Sequence, residues 1–365
     1  MTPAVNLLWC VPGDVGGSEQ YLVRQMAGLA EVGVRTRIFA PAGFASSHGS
    51  LAESHEIVSA THDCRSRGRR TFTESTWLRR RSRGSSLVHH GGGTVPWRSA
   101  RPVVLTIHDL QYREFPSYFS PRKLAYLRAI MPRSARRADL IAVPTDFVAR
   151  TVVDAYGVDR DRVRVVPHGV ENDLSERCTT ESELRGRLGL GDAPVMVMPA
   201  ATYPHKGHLF LLDVVERCWS TQGVRVVLIG GAGLAEADVR RRLGDSRLAG
   251  AVVHAGRVSD EDRNGLVRMA RAMVLPSEYE GFGAPVIEAM ALGTPVVTSD
   301  RACLPEVVGD AGLVLPLDVD SWSVVPDLVE ARRDELIRRG TERVGDFSIA
   351  ASGRALAATY AEVAR

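Results

Sequence analysis

Lysine is almost missing from this chain. Of 46 basic side chains only Lys123 and Lys206 are lysine, so a compact ammonium is available at just two places; the arginine bias is what a GC-rich, bacterial genome produces. Cysteine is sparse as well. Cys10, Cys64, Cys178, Cys218 and Cys303 are scattered, odd in number and contain no Cys-x-x-Cys pair. That argues against a disulfide framework and structural zinc and favours a reducing, cytoplasmic setting. No run of 18 apolar residues occurs, which argues against a transmembrane helix. The opening MTPAVNLLWCVPGDVGG lacks a basic segment and its apolar run is short, so a first strand is expected there and not a signal peptide. The G-x-G-x-x-G pattern is absent too, and no acid follows the second expected strand at IFAPAG. A nicotinamide or flavin site is therefore poorly supported.

What remains is an ordinary globular composition: 365 residues, 44% apolar, 24% charged, formal net charge +3. That length suits two domains. The charge is uneven, however. Residues 64–85 carry eight arginines and a single acid, Glu74. Such a run is either a solvated surface loop or a patch for anionic lipid, a phosphorylated acceptor or nucleic acid.

Short apolar, β-rich runs alternate with helical patterns along the whole chain. Strands are expected at 4–11, 35–40, 86–90, 102–108, 139–144 and 162–167, then again at 194–200, 223–231, 251–256, 272–277, 294–299 and 312–317. Between the first two, Leu22, Met26, Leu29 and Ala30 share one helical face and Gly33 stops the turn. Near-continuous apolar strands alternating with helices mean parallel sheets covered on both faces. The expected fold class is α/β, with two Rossmann-like doubly wound domains facing a central cleft. The rhythm breaks in a polar stretch, which divides the chain into a first domain at 1–175, a linker at 176–193 and a second domain at 194–345. A final amphipathic helix at 346–365 is expected to pack back on the first domain.

Four strand ends hold residues with chemistry to offer. Gly16 and Gly17 precede the first helix, where backbone N–H groups can approach a phosphate, although a plain strand-to-helix turn has the same look. His108 ends a buried strand, either as a satisfied core histidine or as a ring facing a substrate hydroxyl. Lys206, one of the two lysines, stands between a strand and a helix, well placed to neutralise phosphate. His205 and His208 flank it, but without a third ligand a metal pair is weakly supported. The fourth is SEYEGFGAPVIEAMALGTPVVTSD, residues 277–300. Pro285 suits the first helical position, Glu288 is expected in the first turn and Glu280 in the glycine-rich corner. A carboxylate can accept two hydroxyl protons, the geometry of a diol. Phosphate, sugar and ribose groups together describe a nucleotide sugar.

These residues resemble glycosyltransferase family 4, the retaining GT-B enzymes, and more closely its mannosyltransferase-like members. The most specific likeness is the Glu-x7-Glu block, here Glu280 to Glu288, followed by AMALGTPVVTSD and LPEVVGDAGLVL. The likeness extends to Gly16-Gly17, TIHDL, RVVPHGV, PHKG and AGRVSDED, and it leaves out the arginine-rich region. The resemblance implies that Lys206 binds the donor diphosphate and Glu288 the ribose hydroxyls. Glu280, with the Phe282 and Gly283 backbone, would hold the transferred sugar; His108 and Glu280 would be the catalytic pair near the anomeric carbon, and Gly16 and Gly17 would lie beside the phosphate. It implies a nucleotide-sugar donor, a hydroxyl acceptor on a saccharide, lipid-linked sugar or small molecule, retention of configuration, and no metal or other cofactor. The family often has arginine five residues before the lysine. Ala201 stands there, so diphosphate binding would lean on Lys206, backbone donors, or Arg257 or His205. Three acidic strings, Asp318-Val-Asp320, Asp159-Arg-Asp161 and Asp260-Glu-Asp262, imitate the metal motif of a different glycosyltransferase fold but sit in polar loops or helix starts. Competing readings are a nucleotide-sugar epimerase or phosphorylase on the same scaffold, and a non-catalytic arginine-rich binding module. A cytoplasmic protein is expected, with peripheral contact to the inner face of the membrane through Arg65–Arg83 as an option and no nucleic-acid partner.

Overall fold

The structure is a computed structural model that describes residues 2–13, 17–171 and 173–364. It divides into two compact units, one formed by residues 1–169 with 347–365 and the other by 170–346. In the first, β1 (Ala4–Asn6), β2 (Arg37–Ala40), β3 (Glu56–Ser59), β4 (Val88–His90), β5 (Val103–Thr106), β6 (Leu140–Val143) and β7 (Val163–Val165) form a parallel sheet in the order 3-2-1-4-5-6-7. In the second, β8 (Val195–Pro199), β9 (Arg225–Ile229), β10 (Val252–Gly256), β11 (Ala272–Leu275), β12 (Val296–Ser299) and β13 (Leu313–Leu315) run parallel in the order 10-9-8-11-12-13. Every residue of β5, β6, β11 and β12 is buried, as helices on both faces of a sheet require. Both orders reverse once, between β1 and β4 and between β8 and β11. At such switch points the loops leaving the carboxyl ends splay apart and leave room for a ligand.

Three expectations need correction. β3, EIVS, was not anticipated: it is an edge strand with Glu56 and Ser59 exposed, so it lacks the apolar run that marks the interior strands. Residues 176–193 are not a free linker but part of the second unit. Their helix Glu181–Leu188, capped by Thr180, is tied down where Thr179 N bonds Glu261 O at 3.0 Å and Thr179 Oγ1 donates to Asp262 at 2.7 Å. The arginine-rich stretch is not a loop. It forms the helix Arg67–Thr73, a π-helical turn Glu74–Leu78 and a last turn Arg79–Arg81, with Thr73, Glu74 and Leu78 buried.

The helix Ile349–Val363 packs on Gly17–Glu31 within the first unit. Contact is backbone to backbone, because a Cβ on Gly28 would stand 2.3 Å from Ile349 O and one on Gly353 2.1 Å from Gly28 O. His89, fully buried in β4, pins the same helix: Nδ1 lies 2.7 Å from the Tyr360 hydroxyl and Nε2 2.7 Å from Thr106 Oγ1.

Candidate functional site

The second unit's switch point explains why residues far apart in the chain meet. β8 and β11 are hydrogen-bonded neighbours, so the loop after Pro199 and the loop after Leu275 leave the sheet side by side. The backbone then couples them: Glu278 N donates to His205 O at 2.7 Å. Gly207, at φ +78°, allows the close approach, since a Cβ there would stand 2.0 Å from Pro276 O. On this frame Lys206 Nζ lies 2.6 Å from Glu280 Oε1, and Ser277 Oγ donates to the same oxygen at 2.8 Å. Glu280 is only 9% exposed, so a carboxylate is held out of bulk water with a cation and a hydroxyl as partners. Its charge is felt nearby, where it adds to burial in pushing the Cys303 thiol well above its usual range.

Beyond Glu280 the chain turns through buried Phe282 and left-handed Gly283 (φ +82°) into the helix Ala284–Ala291, with Pro285 in its first turn. That helix start presents unsatisfied N–H donors and the positive end of the helix dipole. Glu288 corrects an expectation: it is the fifth residue of the helix, not part of the first turn, and it is buried. Its presence therefore owes nothing to the dipole at the helix start.

Both flanking histidines are neutral at physiological pH. Burial, reinforced by the Lys206 charge, pushes His205 down to about 4. Burial likewise takes His208 to about 4, and its Nε2–H donates to Ala200 O at 3.2 Å. Among the described residues no three His, Cys, Asp or Glu side chains gather in a metal-holding arrangement. Arg257 lies exposed just past β10. Ala201, five residues before Lys206, offers no charge.

In the first unit the loops after β1, β4 and β5 carry the other candidates. His108 Nε2 lies 2.8 Å from Gly91 O. A carbonyl only accepts, so that nitrogen carries the proton and Nδ1 keeps its lone pair. Burial holds the ring neutral. It stands edge-on to Tyr21 at 5.3 Å, and Tyr21 stacks on His168 at 4.0 Å and donates to Val166 O at 2.8 Å. Gly17 opens the first helix; Gly16 lies outside the described residues.

Two supporting residues escaped the sequence reading. Ser277 is invisible without the fold, because its partner Glu280 is chosen by the loop's path. Glu19, 8% exposed, accepts from Gly13 N at 3.0 Å and meets His48 Nε2 at 2.8 Å, tying both residues to the first turn of the helix. An acid in the first turn of a helix was its only signal.

Sequence comparison speaks for the family. A profile described as Glycosyltransferase Family 4 matches residues 15–174, and one described as Glycosyl transferases group 1 matches residues 193–324. The chain is 30% identical over 271 residues to the O-antigen chain mannosyltransferase B of Escherichia coli, covering 72% of this chain and 70% of that one. It is also 30% identical over 283 residues to the D-inositol 3-phosphate glycosyltransferase of Mycolicibacterium smegmatis, covering 73% of this chain and 64% of that one. Among solved structures, Anabaena HepE in complex with UDP and glucose superposes with a TM-score of 0.75 at 19% identity, covering 99% of this chain and 100% of that one. Sucrose-phosphate synthase from Thermosynechococcus elongatus does so with a TM-score of 0.77 at 19% identity and 99% coverage of both. At that identity the structural likeness speaks for the fold, which is GT-B.

Proposed function

The chain belongs to glycosyltransferase family 4 and is a glycosyltransferase, and we propose that it moves a hexose from a nucleoside-diphosphate sugar to a hydroxyl acceptor with retention of configuration. The observation that carries this is the Lys206–Glu280 pair, set between the two loops of a switch point and next to a helix start. Each member matches a different part of such a donor. The ammonium suits a diphosphate oxygen, and the carboxylate suits two sugar hydroxyls. The pair is thus neutral by itself and exchanges its internal bond for two bonds to the donor.

In this scheme Glu288 takes the ribose hydroxyls, and the Phe282 and Gly283 backbone completes the sugar site with Glu280. His108, neutral and protonated on Nε2, offers the Nδ1 lone pair to a hydroxyl near the anomeric carbon. Gly16 and Gly17 supply backbone N–H groups to the phosphate. Arg257 is a further cation for the diphosphate, which Ala201 cannot be. As the glycosidic bond breaks, charge grows on the leaving diphosphate. Lys206 and the helix-start N–H groups stabilise it with no resident metal required. The same diphosphate takes the acceptor proton, and attack on the face it leaves preserves the configuration. The relatives named above act on O-antigen chains and on an inositol phosphate, which favours a saccharide or polyol acceptor and a mannosyl-type donor here. Nucleotide sugars place the reaction in the cytoplasm.

Thermal stabilisation by UDP, GDP, ADP and dTDP, in EDTA, tests this directly. One nucleotide at about a hundred times its Kd adds about 2.7 kcal/mol to the wild type, and Lys206→Ala and Glu288→Ala lose the response. Indifference of the wild type to all four would defeat the proposal.

A further inference from the structure

The chain's surplus of positive charge is carried by one stretch of the first unit. Residues 64–137 hold seventeen basic and three acidic side chains, while the whole chain nets only +3, so the remainder is net negative. Of the three acids, Glu74 is buried against Asn6, Asp109 is half-buried, and only Glu114 is exposed.

The fold gathers that charge on one face. The arginine-rich helix Arg67–Thr73 lies in the crossover from β3 to β4, and Pro121–Arg137 lies in the crossover from β5 to β6. Both crossovers run in the same direction along the sheet, so right-handed connections put both helices on the same side. They touch: the Arg67 guanidinium sits 4.6 Å above the Tyr126 ring. Pro121–Arg137 contains six basic residues and no acid. Arg69, Arg80, Arg122 and Arg136 are exposed and have no carboxylate partner among the described residues. Most arginines of the second unit are ion-paired, Arg185, Arg187, Arg242, Arg338 and Arg339 among them, and the bare ones there, such as Arg217 and Arg257, are scattered and not gathered on two touching helices.

Aromatic side chains stand out from the same face. Phe72 is 69% and Trp97 68% exposed, the two highest values among the large apolar side chains. Trp97 is held in place by Arg137, which donates to its carbonyl at 3.0 Å, and by Arg133, whose guanidinium lies 4.3 Å over the ring.

We propose that this face docks on an anionic lipid bilayer, with the arginines meeting headgroup phosphates and Trp97 and Phe72 entering the interfacial layer. Broad, acid-poor and tipped with Trp and Phe, the surface has the chemistry of a membrane-interface element. Single-stranded nucleic acid fits it less well, because such ligands stack bases on open aromatic faces. Here the rings of Trp97, Tyr126 and Phe119 each already carry a cation over one face. The inference stands on the first unit's surface alone and is independent of the proposed donor chemistry.

Flotation of the full chain with phosphatidylcholine vesicles, plain or containing about one third phosphatidylglycerol, provides the test in about 0.1 M salt. Binding is expected only to the anionic vesicles, with a blue shift of tryptophan emission. The triple variant Arg69→Glu, Arg122→Glu, Arg136→Glu should bind at least about tenfold more weakly. Trp97→Phe should still bind but lose most of the blue shift. Should the charge reversals disturb folding, the glutamine versions at the same positions give the same comparison. Lys206→Ala should bind vesicles like the wild type, which separates this proposal from the nucleotide reading. No binding to anionic vesicles, equal binding to neutral ones, or tighter binding to single-stranded RNA at the same salt would each overturn it.

Discussion

Lys206 and Glu280 stand 74 positions apart, yet Nζ and Oε1 are 2.6 Å apart in a site where both are largely shielded from water. Each is the counter-ion that makes the other tolerable there. Removing one leaves a shielded charge behind, which costs far more than the intact pair contributes. Lys206→Met and Glu280→Leu should therefore each destabilise the chain by roughly 1–3 kcal/mol, and the double variant by less than their sum. Urea unfolding of all four proteins measures the coupling. Transfer should fall about a hundredfold or more in each single variant and no further in the double. Strictly additive stability losses would show that the two side chains are neighbours without being partners.

The glycine that follows the lysine gives a sharper structural test. Gly207 and Gly293 share a left-handed backbone, at φ +78° and +72°, but only Gly207 has a carbonyl in the way of a side chain. Alanine at either position costs roughly 1–2 kcal/mol in backbone strain. At Gly207 it must also push the loop at Pro276 away, and with it the partner of Lys206. Gly293→Ala should lower the thermal midpoint and keep the nucleotide response. Gly207→Ala should lower it further and lose the response. Equal behaviour would mean that the two loops move together freely.

Much of this fold is legible in the sequence. The interior strands announce themselves because burial on both faces forces unbroken runs such as VVLT and AMVL. β3 did not, since an edge strand with exposed Glu56 and Ser59 has too little apolar surface to leave a pattern. The 67–81 helix was hidden for the opposite reason. Its few buried positions, Thr73, Glu74 and Leu78, are outnumbered by exposed arginines, and two of the three are polar. Glu280 and Lys206 were found because a charge at a glycine-rich strand end has no local structural use. Ser277 and Glu19 were missed because their value lies in which atoms the fold brings within reach.

Neutral buried histidines set the acid limit of stability. Burial pushes His89 and His90 down to about 3, and His205 and His208 down to about 4. In the unfolded chain each titrates near 6.5. Above that pH neither state binds the proton and stability is unaffected. As pH falls below 6.5 the unfolded chain takes up protons that the folded chain refuses. Each histidine then removes up to about 1.4 kcal/mol per pH unit until its folded value is reached. Urea unfolding should be flat from pH 8 to 7 and weaken steeply between pH 6 and 4. A stability constant from pH 7 to 5 would mean that these rings are accessible to protons in the folded state.

Glu19 is the remaining candidate for a residue that acts through others. One carboxylate oxygen accepts from Gly13 N and the other meets His48, whose ring packs on buried Phe44 at 4.6 Å, so the start of the first helix is braced from two sides. Glu19→Ala removes both bonds from a buried position and should cost roughly 1–3 kcal/mol. If the brace serves only folding, the effect ends there. If it holds the backbone N–H groups near Gly17 ready for a phosphate, donor KM should rise about tenfold while the acceptor KM stays put. Glu19→Gln still accepts from Gly13 N and can donate to His48 once that ring changes tautomer, so it should restore most of the donor KM. An alanine variant that is less stable but kinetically unchanged would assign Glu19 to the fold alone.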